Sequence, residues 1–499
     1  MVHLLLHILT NGNYGVFRDE LYYLDCSRHL DWGYVDHPPL SIWMLAGVHA
    51  VFGQSIHALR VLSELAGAAV IVVTALIARE MSGGRLAQVI AALAMAVAPG
   101  PMIISGSFSM NAFDMLFWAV LAWILVRLAV RDDPKLWLVF GAVAGLGLLN
   151  KISVLFLGFG VAVAIALTPL RRHLLSWQPY VGGALAAVIS LPYLLWNAAH
   201  GWPTLEFMAN ARQYKIVAFS PLAFFGEQVL AMGPPLAPLW IGGLIWLMLP
   251  PSRGGGGRYR LLGWIFITVF ILLVALKAKP YYLSAAFAML FAAGGSALES
   301  LVGRLRKPAA YNLASGLVLF WVIASGFVAI PLAVPLLAPQ GFLAYQATLG
   351  LVPKHAENNP VGEIPQYFSD RFGWENMASV VASVYEALPT PDKPATMIVG
   401  SNYGEAGAIN YYGPDLGLPS AVSTHNSHYL WGPGPVEPEV MISIGGRRER
   451  LEELFEHVTH VATVTSTYAM PYESNLPIFV LRGLKIPLEE AWRTGKNFR

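Results

Sequence analysis

Residues 18–40 have the sequence RDELYYLDCSRHLDWGYVDHPPL, the most polar stretch in the hydrophobic first two-thirds of the chain. Asp19 and Glu20 are adjacent, so they point in different directions on any regular backbone and can take different partners. Pro38 and Pro39 close the stretch and fix its backbone, because proline also pushes the residue before it out of the helical region. A polar cluster that ends in a rigid turn before an apolar helix predicts a site held at a membrane surface. The plainer alternative is a solvated loop between hydrophobic segments.

The composition predicts an integral membrane protein. Of the 499 residues, 56% are hydrophobic and only 12% are charged, whereas about a quarter of the residues in soluble domains are charged. The formal net charge of +2 indicates little about partners, since in a membrane protein the charge of each loop is what matters. Cys26 is the only cysteine of the sequence, which excludes an intramolecular disulfide.

Ten apolar runs have the length of a membrane span, which takes about 20 helical residues. They lie at 59–80, 86–105, 110–130, 136–150, 152–170, 180–198, 222–249, 260–276, 282–300 and 310–333. The run at 136–150 is short, and residues 40–52 form a further apolar helix that is too short to span. The predicted fold class is a multispanning α-helical membrane protein, with about 10–12 transmembrane helices and a C-terminal extracytoplasmic α/β domain.

The basic residues predict the orientation of these spans. They fall in every second connection, which the positive-inside rule assigns to the cytoplasm. The first loop, residues 11–40, and everything after residue 335 are then outside. We expect a transmembrane domain over residues 1–335 and an extracytoplasmic domain over 336–499. Met1–Thr10 is apolar but only half a span, so either the chain begins with a partial helix or a first span lies upstream, and no cleavable signal peptide is evident.

The composition changes from about Leu336 to an alternation of β-rich runs and helical patterns, which is typical of a small α/β domain. Strands are predicted at Thr396–Gly400, Val440–Ile444, Val458–Val464 and Ile478–Leu481, and helices at Glu375–Leu388 and Arg447–Glu456. The connecting stretches SNYGEAGAINYYG (401–413) and STHNSHYLWGPG (423–434) have the composition of binding or active-site loops. His425 and His428 are too few for a metal site.

Carboxylates and cations gather at the predicted outer face. They are Asp19, Glu20, Asp36 and Asp114, together with Arg60, Lys151, Lys277 and Lys279. Lysines at this interface suit an anionic headgroup, and a carboxylate beside them could serve as general base for an acceptor hydroxyl. One reaction uses both: transfer of a sugar from a polyprenyl-phosphate carrier to a hydroxyl acceptor. The lipid phosphate leaves as an anion and hardly needs an acid, so a direct displacement with inversion is the simplest course.

Six stretches occur together in this chain: RDELYY (18–23), WGYVDHPPL (32–40), SMNAFDMLFW (109–118), GLGLLNK (145–151), HGWPTLEF (200–207) and KPYYL (279–283). The combination resembles the bacterial branch of the protein O-mannosyltransferase and aminoarabinose transferase family. These are integral-membrane C-type glycosyltransferases that take sugar from a polyprenyl phosphate. The resemblance covers most of residues 14–300.

The resemblance implies roles for matching positions. Asp19 resembles the family's catalytic acidic residue with Glu20 as its companion, while Lys279 and Tyr282 look like contacts of the carrier phosphate. The other predicted substrate-binding residues are Tyr22, Asp36, His37, Arg60, Asp114, Lys151 and Tyr281. The implied partners are a polyprenyl-phosphate sugar donor and an acceptor that is lipid, glycan or protein, with no nucleic acid. The implied place is the periplasmic side of a bacterial inner membrane. No metal-ligand set is predicted, although the carboxylates could bind a divalent cation.

Two other functions stay open on the sequence alone. A transporter or flippase of lipid-linked sugars would place ionisable residues near mid-membrane, in two matched halves broken by Gly or Pro. In this chain the charges gather at one face. A membrane-anchored scaffold whose outer domain binds a partner would leave the polar stretch at 18–40 without a role.

Overall fold

The computed structural model describes residues 2–214, 219–353, 360–435 and 437–499, and helices dominate the N-terminal two-thirds. These helices are α1 (Val2–Thr10), α2 (Arg18–Arg28), α3 (Leu40–Phe52), α4 (Ile56–Glu80), α5 (Arg85–Val97), α6 (Pro99–Ser105), α7 (Met110–Arg131), α8 (Leu136–Asn150), α9 (Val154–Ala166), α10 (Gln178–Ala199), α11 (Pro203–Tyr214), α12 (Pro221–Met232), α13 (Ala237–Met248), α14 (Arg260–Ala275), α15 (Phe287–Val302) and α16 (Pro308–Ala333). Short 3-10 helices lie at Pro169–Leu175, Pro234–Leu236, Pro251–Arg253, Gly257–Tyr259 and Pro280–Ala286.

The predicted fold class, a multispanning helical membrane protein, is confirmed. Within the described ranges, six helices are long and apolar enough to cross a membrane, or up to nine if each bent pair is one span, and α3 and α8 are shorter apolar helices. Three predicted runs are interrupted: α5 and α6 meet at 62°, α9 meets the segment Pro169–Leu175 at 102°, and α12 meets the segment Pro234–Met248 at 97°. The breaks fall next to Pro99, Pro169 and Pro234, because proline lacks the N–H that continues a helix and its ring crowds the preceding turn.

The small C-terminal sheet domain contains α17 (Pro339–Thr348), α18 (Gln366–Ser369), α19 (Trp374–Glu386), α20 (Tyr403–Tyr412), α21 (Ser427–Trp431), α22 (Arg448–Leu454) and α23 (Leu488–Thr494). Its strands are β1 (Thr396–Gly400), β2 (Ala421–Ser423), β3 (Val440–Ile444), β4 (Phe455–Val464) and β5 (Leu476–Leu484). The sheet order is β2-β1-β3-β5-β4, and β1 pairs in parallel with both of its neighbours, whereas β5 pairs antiparallel with β3 and β4.

The four predicted strands are confirmed, but the prediction that residues 401–413 form a loop is wrong, because most of this stretch is helix α20. Asn402 begins the helix, and its side-chain oxygen accepts the backbone N–H groups of Gly404 at 2.8 Å and Glu405 at 3.1 Å. Such a cap stabilises a helix by about 1 kcal/mol, enough to offset the low helix propensity of one glycine. Strand β2 and helix α21 were not predicted either.

Residues 11–40 were predicted to form an outer loop. The structure differs, because Arg18–Arg28 of this stretch form helix α2. One of the hydrophobic cores is shared between α2, neighbouring membrane helices and the C-terminal domain. Leu21 of α2 is fully buried in this core. A Cβ on Gly407 of α20 would lie 2.9 Å from the carbonyl carbon of Leu21, so the two helices are in direct backbone contact. Helix α2 therefore lies between the membrane helices and the C-terminal domain.

Candidate active site

The first turn of α2 places Asp19 and Glu20 on different sides of the helix. The backbone N–H of Arg18 donates to the carbonyl of Asp370 at 2.9 Å, and the N–H of Phe17 donates to Glu20 Oε2 at 2.8 Å. Successive helical residues are rotated by about 100°. Glu20 consequently faces α4, while Asp19 faces the C-terminal domain.

Glu20 and Arg60 form a fully buried ion pair. Arg60 Nε donates to Glu20 Oε1 at 2.8 Å and Nη2 donates to Oε2 at 2.6 Å. The backbone N–H groups of Phe108 and Phe17 donate to the same two oxygens at 2.7 and 2.8 Å. Burial alone would raise the pKa of Glu20, but Arg60 and these hydrogen bonds lower it below the usual value. Each carboxylate oxygen has two donors, so the geometry favours a structural role for Glu20 and Arg60 over contact with a substrate.

Asp19 is accessible, with 34% of its side chain exposed. Its Oδ1 accepts a hydrogen bond from the hydroxyl of Tyr403 at 2.8 Å, and Arg18 Nε lies 3.7 Å from the same oxygen. Arg18 is itself held, because Nη1 donates to the hydroxyl of Tyr472 at 2.6 Å and Nη2 lies 4.0 Å from Asp370. A carboxylate fixed on one side by donors and open on the other can act as a general base.

Tyr22, Asp36 and His37 form a second group beside Asp19. The hydroxyl of Tyr22 donates to Asp36 Oδ1 at 2.8 Å and lies 2.7 Å from Ser427 Oγ. Burial raises the pKa of Asp36. The buried His37 ring places Nδ1 3.0 Å from the carbonyl of Pro38, and its Nε2 has no hydrogen-bond partner in the described part of the chain. Because a carbonyl only accepts, Nδ1 carries a proton and Nε2 is free to meet a ligand.

Asp114, Lys151, Tyr281 and Tyr282 form a third group where α7, α8 and the turn Pro280–Ala286 meet. Lys151 Nζ lies 3.5 Å from Asp114 Oδ2 and donates to Asn111 Oδ1 at 2.7 Å. The ammonium also lies 4.7 Å from the ring centre of Tyr282 and 5.5 Å from that of Tyr281. The structure thus brings three predicted residues, Asp114, Tyr281 and Tyr282, together around Lys151.

Tyr23 connects these groups, although it was not predicted as a site residue. Its ring centre lies 5.2 Å from that of His37. Burial raises the pKa of Tyr23, and the charges of Asp19, Asp36 and Tyr281 raise it further. The side chains of Asp19, Asp36 and Tyr281 therefore all lie close enough to the Tyr23 hydroxyl to affect its pKa.

Lys279 immediately precedes the turn that carries both tyrosines and is half-buried. Its contact with a carrier phosphate stays a prediction.

The C-terminal domain brings Tyr403 to Asp19 and Ser427 to Tyr22, and neither Tyr403 nor Ser427 was predicted as a site residue. A signal for Tyr403 was present. Asn402 followed three residues later by Glu405 is the spacing of a helix N-terminus, and it would have placed Tyr403 on the first turn of a helix. No comparable signal marks Ser427.

No three His, Cys, Asp or Glu side chains within the described ranges are grouped so as to hold a metal ion. A divalent cation held by the predicted carboxylates stays a prediction. Protein cations already lie beside two of these carboxylates, since Arg18 is next to Asp19 and Lys151 is next to Asp114.

Comparison with known proteins gives one family. Residues 36–196 match the family model described as dolichyl-phosphate-mannose-protein mannosyltransferase. The crystal structure of ArnT from Cupriavidus metallidurans bound to undecaprenyl phosphate superposes with a TM-score of 0.62, covers 96% of each chain and is 14% identical. The chain is thus similar over part of its sequence to this family and has the fold of ArnT. The predicted resemblance is confirmed.

Two curated relatives are similar to this chain in sequence. The lipid A galacturonosyltransferase RgtD of Rhizobium johnstonii is 28% identical over 272 residues, which cover 53% of this chain and 56% of the relative. The undecaprenyl phosphate-alpha-4-amino-4-deoxy-L-arabinose arabinosyl transferase 2 of Pseudomonas fluorescens is 29% identical over 226 residues, covering 40% of this chain and 39% of the relative. The chain thus spans about half of the length of the first relative and about two-fifths of the second.

Proposed function

We propose that this protein transfers a sugar from a polyprenyl-phosphate carrier to a hydroxyl of a lipid acceptor, at the outer face of a bacterial inner membrane. The observation that carries the proposal is the Asp19 carboxylate, which is 34% exposed and held by the Tyr403 hydroxyl at 2.8 Å. The choice of a lipid acceptor is supported by the first relative, whose name specifies lipid A. The choice of carrier is supported by the second, whose name specifies undecaprenyl phosphate.

The donor phosphate would bind between Lys151, Tyr282, Lys279 and His37. Lys151 Nζ lies 4.7 Å from the Tyr282 ring centre and 3.5 Å from Asp114 Oδ2. A phosphate would add the strong acceptors that an ammonium at a membrane interface needs. His37 Nε2 offers a further contact, since it has no partner among the described residues.

The lipid chain of the carrier would enter an apolar cavity next to this group. The cavity has a volume of about 160 Å³ and is lined by Phe225, Gln228, Trp240, Leu244, Phe266, Ile267 and Phe270. Gln228 connects the cavity to the 3-10 helix Pro280–Ala286, which contains Tyr281 and Tyr282, because its side-chain N–H donates to the carbonyl of Pro280 at 3.0 Å. An apolar cavity beside donors for a phosphate fits an isoprenoid lipid with an anionic head.

In the proposed step, Asp19 takes the proton of the acceptor hydroxyl while that oxygen attacks the anomeric carbon. The new carbon–oxygen bond forms as the bond from the anomeric carbon to the phosphate oxygen breaks. The bonding pair leaves with the polyprenyl phosphate, whose negative charge Lys151, Lys279 and the tyrosine hydroxyls stabilise. A single displacement inverts the anomeric configuration. Glu20 and Arg60 act only by fixing the position of α2.

The test uses membranes containing the wild-type protein and a panel of polyprenyl-phosphate sugars labelled in the sugar. Label that moves from one donor to a lipid product, with release of the polyprenyl phosphate, supports the proposal. Labelled donor that crosses the membrane with its sugar–phosphate bond intact would instead establish a flippase. The distribution of product between lipid, glycan and protein fractions identifies the acceptor class.

A further inference from the structure

We propose that Tyr403 of the C-terminal domain is a positioning residue for the glycosyl transfer, because its hydroxyl holds the Asp19 carboxylate in the orientation that accepts the proton. The inference rests on the proposed function. It extends the active site from the membrane domain, where the sequence motifs lie, to the C-terminal domain, which shares a hydrophobic core with α2 and neighbouring membrane helices.

The Tyr403 ring is fixed from several sides. It stacks on the ring of Tyr22, with centres 4.7 Å apart and an interplanar angle of 29°, and on the ring of His425, with centres 4.7 Å apart and an angle of 24°. The guanidinium of Arg18 lies 5.6 Å from the centre of the Tyr403 ring. With only 8% of Tyr403 exposed, the hydroxyl has little freedom to point elsewhere.

The backbone around Tyr403 is equally constrained. Helix α20 begins at Tyr403 and lies directly against α2, because a Cβ on Gly404 would be 2.5 Å from Arg18 Cγ. Gly404 and Gly407 are three residues apart and so share one helix face. A Cβ at either position would come closer than 3.0 Å to an atom of α2, so a larger residue there would require α2 or α20 to move. The two glycines therefore let the Tyr403 hydroxyl reach Asp19.

Several ionisable groups surround the hydrogen bond between Asp19 and Tyr403. They are Arg18, Tyr22 and Tyr23 on α2, Asp36 on the following loop, Asp370 after α18, and His425 before α21. Burial raises the pKa of Tyr403, and Asp19 raises it further against the opposing effect of Arg18. The Tyr403 hydroxyl therefore keeps its proton and remains a donor to Asp19.

Removal of the donor has two consequences. The carboxylate loses its fixed orientation, and we expect the turnover number to fall by about 10- to 100-fold. The acid limb of the profile of turnover against pH should also move to higher pH, since a hydrogen-bond donor to the proposed base is gone. The KM for the donor should not change, because Tyr403 does not contact the proposed phosphate group.

The experiment compares the wild type with Tyr403→Phe, which keeps the stacked ring and removes only the hydroxyl. Tyr412→Phe is the matched control, since Tyr412 lies at the other end of α20 and its hydroxyl makes no hydrogen bond to a described residue. The turnover number, the KM for a polyprenyl-phosphate sugar and the pH profile are measured on full-length proteins, together with the thermal midpoint. We expect lower turnover and a shifted acid limb in Tyr403→Phe alone, with an unchanged midpoint.

Wild-type turnover and an unshifted profile in Tyr403→Phe would overturn the inference while the proposed function stands. A uniform loss at every pH, together with a lower thermal midpoint, would also overturn it, because it would show that the hydroxyl only stabilises the fold. Absence of transfer by the wild type from every donor would instead overturn the proposed function.

Discussion

Two adjacent carboxylates lie on opposite sides of α2, one of them buried and the other partly exposed. On the side of the membrane helices, Glu20 is fully buried with four donors, two of them from Arg60. On the side of the C-terminal domain, Asp19 is 34% exposed and its Oδ1 accepts from Tyr403. Two adjacent carboxylates can thus serve an anchor and a reactive group, because environment rather than residue type decides the role.

The largest expected effect is on the anchor side. Glu20→Gln leaves the buried charge of Arg60 without its counterion, and we expect a loss of about 3–5 kcal/mol in the free energy of unfolding. The thermal midpoint of the purified protein measures this. Asp19→Asn is the control, since a change at a partly exposed site should leave the midpoint nearly unchanged. Equal thermal midpoints for the two variants would contradict the proposal that Glu20 anchors α2 and Asp19 does not.

A smaller effect is expected within the C-terminal domain, where Glu405 and Glu473 share the side-chain amide of Asn402 at 2.9 and 3.0 Å. Burial raises the pKa of Glu473 from 4.5 to about 7. The folded chain then holds more protons than the unfolded chain between these values, so stability falls as pH rises through that window, by at most about 3 kcal/mol. The fall in thermal midpoint between pH 5 and pH 8 should be smaller in Glu473→Gln.

The exposed Glu490 provides the control for this pH dependence. Glu490→Gln should keep the wild-type fall in midpoint. If Glu473→Gln and the wild type lose the same number of degrees between pH 5 and pH 8, the buried carboxyl of Glu473 does not titrate in this range.

The smallest expected effect concerns the donor. Lys279→Ala should raise the KM for the polyprenyl-phosphate sugar by about tenfold, as the loss of one charge-assisted hydrogen bond would, with little change in turnover. Lys277→Ala tests an exposed lysine on the same connection and should behave as the wild type. An equal rise in both variants would indicate a general effect of surface charge, and an unchanged KM in Lys279→Ala would remove this lysine from the proposed phosphate site.

The membrane helices could be predicted from the sequence because each is a long run of mostly apolar residues. Their bends at Pro99 and Pro234 could have been predicted as well, since proline interrupts helical hydrogen bonding. Helix α20 was missed because Gly404 and Gly407 lower its helix propensity. The reason for these glycines, close packing against α2, exists only in the tertiary structure.

The site was predicted as a set of residues but not as an arrangement. Asp19, Asp36 and Lys151 were predicted from residue types at one predicted outer face, and Tyr282 from the family resemblance. The burial of Glu20 depends on Arg60, and the orientation of Asp19 depends on Tyr403, which is 384 residues away along the chain. No periodic pattern in the sequence encodes contacts of that separation.

The central claim is that Asp19 is the base of a glycosyl transfer from a lipid phosphate. The most direct measurement is transfer of labelled sugar from the polyprenyl-phosphate donor that the wild type uses, compared between the wild type and Asp19→Asn at equal amounts of folded protein in the membrane. We expect loss of transfer by about 10²- to 10⁴-fold in Asp19→Asn, the range for removal of a general base. Transfer at the wild-type rate by Asp19→Asn would contradict the account.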